Sequence, residues 1–203
     1  MTNRPRATFD PLLRRRTMLK ACCGLALGLH SGARADEADD ASAAPRAGDR
    51  LVHAFGDRAG QTISPADVVL DAQQLLGYPF DPAVQRVRDG TRLNQIAIVR
   101  VALERMTPET RARSAEGIVA YSGVCTHTGC DVTDWRGAER RFKCPCHESE
   151  FDPADGARVV GGPAPLPLAA LPLVIVDGAL TIAAAFEGYV GFMQPGLDGL
   201  SSP

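Results

Sequence analysis

The chain has 203 residues, 45% of them hydrophobic and 23% charged, with a formal net charge of −2. The first 35 residues hold seven of the 22 Lys and Arg but one of the 24 Asp and Glu, which leaves the rest of the chain near −8. That balance argues against nucleic acid or an anionic membrane as a partner, and the remaining length suffices for one compact domain with a real core.

Residues 1–35 read as an address. Arg14-Arg15-Arg16-Thr-Met-Leu-Lys20 resembles a twin-arginine (Tat) export signal with Arg15 and Arg16 as the pair. An apolar stretch over 21–29 follows, and Ala33-Arg34-Ala35 offers a small-x-small cleavage site before Asp36. A membrane span takes about 20 apolar residues, and this stretch is interrupted by His30 and Arg34. The expected location is therefore periplasmic, with membrane attachment only if the leader is retained. Residues 36–50 have little to bury and are expected to form a flexible lead-in. A single domain is expected over 51–187 and a tail over 188–203.

Within that domain, 68–70, 95–103 and 118–121 read as strands from their β-branched content. Thr107-Pro108 opens a short helix, with Pro in its first turn. A further short strand is expected over 140–143. Residues 173–176 and 179–183 flank Asp177-Gly178, a strong hairpin signal because Asp-Gly suits the tight turn that right-twisted strands favour. No internal repeat is present, and the pattern describes an all-β domain.

The densest chemistry lies in Cys125-Thr-His127-Thr-Gly-Cys130 and Cys144-Pro-Cys146-His147, thirteen residues apart. Cys22 and Cys23 belong to the leader, so these motifs hold every other Cys. Only His30 and His53 lie outside them. Two Cys and two His can close a four-ligand metal site, and tetrahedral zinc is the bland reading. Against zinc stand the single residue between Cys125 and His127, the two inner cysteines, and the Glu148-Ser-Glu-Phe-Asp152 stretch that follows.

The two segments resemble the C-x-H-x-x-C and C-x-C-H motifs of Rieske proteins. Those carry a 2Fe–2S cluster with two Cys thiolates on one iron and two His nitrogens on the other. The resemblance implies that Cys125 and Cys144 bind one iron, His127 and His147 bind the other, and Cys130 and Cys146 form a disulfide beside them. It also implies a Rieske-type antiparallel β-sandwich with a small cluster-binding subdomain of two loops. Imidazole ligands leave their iron less electron-rich than thiolates would, which raises the potential. Ser149 stands where high-potential relatives carry a hydroxyl that hydrogen-bonds cluster sulfur, and Phe151 where quinol-oxidising members carry Tyr. Together they imply an intermediate potential. Gly161-Gly-Pro-Ala-Pro-Leu-Pro-Leu168 resembles the proline loop that covers the cluster in this family.

Ile118-Val-Ala-Tyr-Ser122 and Glu150-Phe-Asp152 further resemble the small subunit of arsenite oxidase. That implies an electron-transfer subunit without a catalytic site of its own. Its partners would be a larger catalytic redox subunit and a cytochrome c-like or cupredoxin acceptor. The alternative is the Rieske subunit of a cytochrome bc-type quinol-oxidising complex, which Gly162-Pro-Ala-Pro165 and the retained inner cysteines suit. The short apolar leader and Phe151 count against it. Rieske oxygenases and their ferredoxins lack the inner cysteine pair. The region 50–114, including Leu76-Gly-Tyr-Pro-Phe-Asp81, carries no such resemblance.

Overall fold

The computed structural model describes residues 41–192; the leader, residues 36–40 and 193–203 lie outside the described residues. The chain divides into units at 1–39 and 40–203, so everything described belongs to the second. Its strands, in chain order, are β1 (Arg50–His53), β2 (Leu75–Asp81), β3 (Arg86–Val87), β4 (Ile96–Arg100), β5 (Ile118–Ser122), β6 (Asp134–Arg136), β7 (Arg141–Lys143), β8 (Glu150–Asp152), β9 (Arg158–Gly161), β10 (Ala170–Leu171), β11 (Leu173–Val176) and β12 (Ala179–Ile182). One α-helix, α1 (Pro108–Arg113), lies between β4 and β5. Among the described residues no helix is long and apolar enough to cross a membrane.

Two antiparallel sheets result. The larger has the order β10-β5-β4-β2-β1-β12-β11, with β3 added on β2. Its first and last strands are consecutive in the chain, joined through Pro172 alone, so the sheet curls until its ends meet. The smaller runs β6-β7-β8-β9. In the larger sheet β4 and β5 are paired from Ile96↔Ser122 to Arg100↔Ile118. Successive side chains of a strand point to opposite faces, and here both faces are buried. Ile96, Ile98, Ile118 and Ala120 enter one cluster with Leu51, Leu180 and Ile182. Ala97, Val99, Val119 and Tyr121 enter a second with Cys125, Phe142, Cys144 and Phe151. The two cysteines of interest are thus part of the packed interface between the sheets.

Several expected elements stand where the sequence puts them. Pro108 opens α1, and the Thr107 hydroxyl accepts from Thr110 N at 3.3 Å as its cap. In the β11–β12 hairpin, Asp177 (φ 50°) and Gly178 (φ 75°) both adopt the left-handed conformation that the tight turn requires.

Other expectations need correction. Residues 68–70 form no strand: Leu70 makes one isolated bridge to Arg100, whose guanidinium instead donates to the carbonyls of Val68 and Pro65. The strand expected over 95–103 ends at Arg100, and Leu103–Arg105 is a 3-10 turn. Arg140 turns at φ 54°, so β7 starts one residue later. The lead-in expected over 36–50 is packed in its described part. Asp49 is buried and ion-paired with fully buried Arg88, and Asn94 donates to Ala43 O. Burying an ion pair requires good geometry on both sides, which a flexible segment could not supply. The tail expected from 188 likewise starts as packed structure, with Gly188 against Ala169 and Phe192 against Gly129.

Candidate metal centre

The two motifs form two turns of the same construction. In the first, Cys125 O accepts from Gly129 N at 3.0 Å and Cys125 N donates to Cys130 O at 2.8 Å. In the second, Cys144 O accepts from Glu148 N at 3.0 Å and Cys144 N donates to Ser149 O at 2.9 Å. Each turn needs a left-handed residue four places after its leading Cys. Gly129 (φ 77°) supplies it without strain, whereas Glu148 (φ 60°) does so at a cost to an ordinary side chain. The first turn follows β5 and the second follows β7, so neighbouring core elements hold both.

This construction gathers the expected site residues. Cys125 and Cys144 are both free and buried. The rings of His127 and His147 lie 4.7 Å apart, edge to face at 87°. His127 is half-buried and His147 exposed. Cys130 and Cys146 form a disulfide that ties one turn to the other. Sulfurs of Cys130, Cys144 and Cys146 lie within 4.8 Å of one another, but those of Cys130 and Cys146 are bonded together and offer no thiolate. Within the two turns, Cys125, Cys144 and the two imidazoles remain as free donors.

Two observations show that these residues fit a cluster. His127 Nδ1 is buried without a hydrogen-bond partner, an expensive state for a polar atom unless it is a ligand. Burial pushes the Cys125 thiol above its ordinary value, and neighbouring Cys144 adds to the rise; backbone at His127 and the Ser149 hydroxyl act the other way. A buried thiol that resists ionisation beside a second buried cysteine calls for a cation between them.

Ser149, expected to tune the cluster, is fully buried. Its hydroxyl accepts from Ala164 N at 3.1 Å and favours the ionised form of the Cys125 sulfur. Ala164 belongs to the Gly161–Leu168 proline loop, whose Leu166 O accepts from the Thr126 hydroxyl at 2.7 Å. The loop is therefore fastened to both turns. Its close approach depends on Gly162 (φ 78°), where a Cβ would lie 2.5 Å from Ser149 Cα and 2.7 Å from Ser149 N. Phe151 is fully buried and pairs across the strands with Phe142, so it is a core aromatic. Gly162 lies in the proline loop that the sequence points to, whereas Thr126 and Arg92, which donates to Gly129 O, carry no local signal. Around β6 and β7, Arg136 and Arg141 pair with Glu150, and Arg140 pairs with Asp71.

Residues 83–172 match the family model described as the Rieske [2Fe-2S] domain. The cytochrome bc1 complex Rieske iron-sulfur subunit of Streptomyces lividans is 41% identical over 105 residues, covering 48% of this chain and 62% of that protein. The cytochrome b6-f complex iron-sulfur subunit of Synechococcus elongatus is 50% identical over 66 residues, covering 32% and 35%. A Haloferax mediterranei protein, provisionally named a respiratory nitrate reductase subunit Rieske, is 46% identical over 76 residues, covering 37% and 34%. The chain thus spans less than two thirds of each relative. Among solved structures, the plasma membrane Rieske protein of Synechocystis is similar at a TM-score of 0.36 and 26% identity, over 55% of this chain and 87% of that one. The segment 83–172 is a Rieske domain of all-β fold, and the cofactor of such a domain is a 2Fe–2S cluster.

Proposed function

We propose that this chain is the one-electron Rieske subunit of a larger redox complex, with Cys125 and Cys144 ligating one iron and His127 and His147 the other. The observation that carries the ligand set is the pair of free, buried cysteines beside two facing imidazoles, on turns locked together by Cys130–Cys146. When bound, the cluster supplies reversible one-electron transfer. The chain's own residues hold it, exclude water from its sulfur side, and leave the His147 ring exposed on the other.

Two complexes fit. The Streptomyces and Synechococcus relatives favour a cytochrome bc-type quinol-oxidising assembly. Phe151 favours an arsenite oxidase-like assembly with a larger catalytic subunit, and the Haloferax relative adds a precedent for a Rieske subunit beside another oxidoreductase. In either, the acceptor is a cytochrome or cupredoxin. We read the leader as a twin-arginine signal that delivers the folded, loaded protein to the periplasm, where the disulfide persists.

Fractionation with N-terminal sequencing decides between them. A start at Asp36 in the soluble periplasmic fraction supports the arsenite oxidase-like reading, and an intact leader in the membrane supports the bc-type reading. Purified protein that is colourless and contains zinc without iron would sink the cluster assignment altogether.

A further inference from the structure

The first cluster turn bears a charged contact that its motif does not contain. Arg92 lies in the 3-10 turn Arg92–Asn94, between β3 and β4. Its Nη2 donates to Gly129 O at 2.7 Å and to Asp131 Oδ1 at 2.8 Å, and its Nε donates to the same carboxylate oxygen at 3.2 Å. Gly129 lies two residues beyond His127 and directly before Cys130.

The turn that carries Arg92 is held in place from several sides. The Thr91 hydroxyl caps its turn by accepting from Leu93 N at 3.3 Å. Asn94 Nδ2 donates to Ala43 O at 2.8 Å and to Arg88 O at 3.0 Å, anchoring the turn to the core. The Phe192 ring covers the far side of Gly129, close enough that a Cβ there would meet it at 2.7 Å. Gly191 lies against Leu93 on the same turn.

We propose that the Arg92–Asp131 pair sets the electron affinity of the cluster, Arg92 raising it and Asp131 lowering it. The inference rests on the ligand reading above, which makes 125–130 a cluster turn. Reduction adds one electron from an external reductant and breaks no bond in the chain, so the cluster becomes more negative by one charge. A cation fixed on the adjacent backbone stabilises that state, and an anion opposes it. The bond from Arg92 also polarises the Gly129 carbonyl, drawing electron density away from the turn that carries His127. Arg92 is largely exposed and Asp131 partly so, and water and salt therefore weaken the effect.

The test is a redox titration of the purified holoprotein, followed by visible circular dichroism at neutral pH. Arg92→Gln keeps an amide donor for Gly129 O but removes the charge. It should lower the equilibrium constant for reduction about threefold, roughly 28 mV at 59 mV per decade for one electron. Asp131→Asn should raise the constant by a similar factor, and the double variant should return close to the wild-type value. High salt should shrink both single shifts. A purely structural role would move both single variants the same way, and that result overturns the proposal, as does a constant unchanged in both. Should Arg92→Gln fail to retain its cluster, Asp131→Asn decides alone: a rise supports the pair, and a fall or no change rejects it. A wild-type protein without the spectrum of a histidine-ligated 2Fe–2S cluster would refute the ligand reading itself, whereas that spectrum without the opposed shifts refutes only the pair.

Discussion

The Ser149 hydroxyl acts on two neighbours, accepting from Ala164 N and favouring a charged Cys125 sulfur. Ser149→Ala should therefore do two separable things. Losing a hydrogen bond to a ligand sulfur disfavours the reduced cluster, and a charge-assisted bond of roughly 1.5 kcal/mol corresponds to about a tenfold lower reduction constant, read by redox titration. Leaving Ala164 N–H buried and unpaired should also cost about 1–3 kcal/mol of stability, read by denaturant unfolding. Phe151→Tyr probes the opposite direction. A hydroxyl that reaches a ligand sulfur should shift the midpoint upward, and no shift would sink the idea that this position holds the potential down. Because Phe151 is fully buried against Phe142, the added oxygen should also lower the melting temperature. Gly162→Ala is the steric test. Its Cβ would strike backbone atoms of Ser149 at 2.5 and 2.7 Å in a left-handed conformation, so about 2 kcal/mol or more of stability should be lost. Cluster bleaching should speed up as the proline loop lifts.

At the scale of elements, the disulfide and the β7–β8 hairpin form one device. Cys130 and Cys146 are 16 positions apart, and a loop of that size contributes about 3 kcal/mol by restricting the unfolded chain. Cys130→Ser should lose stability of that order and shed its cluster faster, while Cys144→Ser should lose the visible absorbance outright; an unchanged melting temperature and cluster retention in Cys130→Ser would show that the bridge is not structural. How far these elements were legible depends on how much local signal each carries. Leu173–Val176 with Asp-Gly was plain, because the turn chemistry and the β-branched residues beside it agree. The cluster turns were legible as motifs, since ligand chemistry dictates residue type and spacing. β6, β8 and β9 were not: strands of three or four residues are too short for a periodicity, and they exist because the cluster turns and Phe142–Phe151 pairing bring them together. β2 runs through Pro79, which reads as a break, yet it lies inside the sheet between β1 and β4. The residues at 68–70 have strand composition, but Arg100 draws the Val68 carbonyl away from a ladder. Ligand identity was thus local information, whereas the covering of the site by Thr126, Gly162 and Phe192 arises from contacts distant in sequence.

Across the whole molecule, one buried cation joins the start of the described chain to the cluster. Arg88 is fully buried, with Nε donating to Asp49 Oδ2 at 2.9 Å and Nη2 to Asp81 Oδ2 at 2.6 Å. Its carbonyl accepts from Asn94, on the turn whose Arg92 holds Gly129 O. Replacing a whole buried ionic group by apolar residues can be neutral, but removing one partner strands the others. Arg88→Leu would leave Asp49 and Asp81 facing each other without their cation and should cost about 3–5 kcal/mol, measured as a lowered denaturant midpoint. The same variant separates two roles for this wiring. If Arg88 serves only to pack 41–49 onto the larger sheet, the reduction potential of the folded holoprotein stays at the wild-type value while the stability falls. If the position of Arg92 depends on it, the potential falls as well, in the same direction as in Arg92→Gln. Backbone bonds from Gly90 N to Ala41 O and from Arg88 N to Pro79 O survive the substitution, and the Asn94 amide still has both of its carbonyl acceptors. The turn should therefore keep its place, and the expected result is lost stability at an unchanged potential.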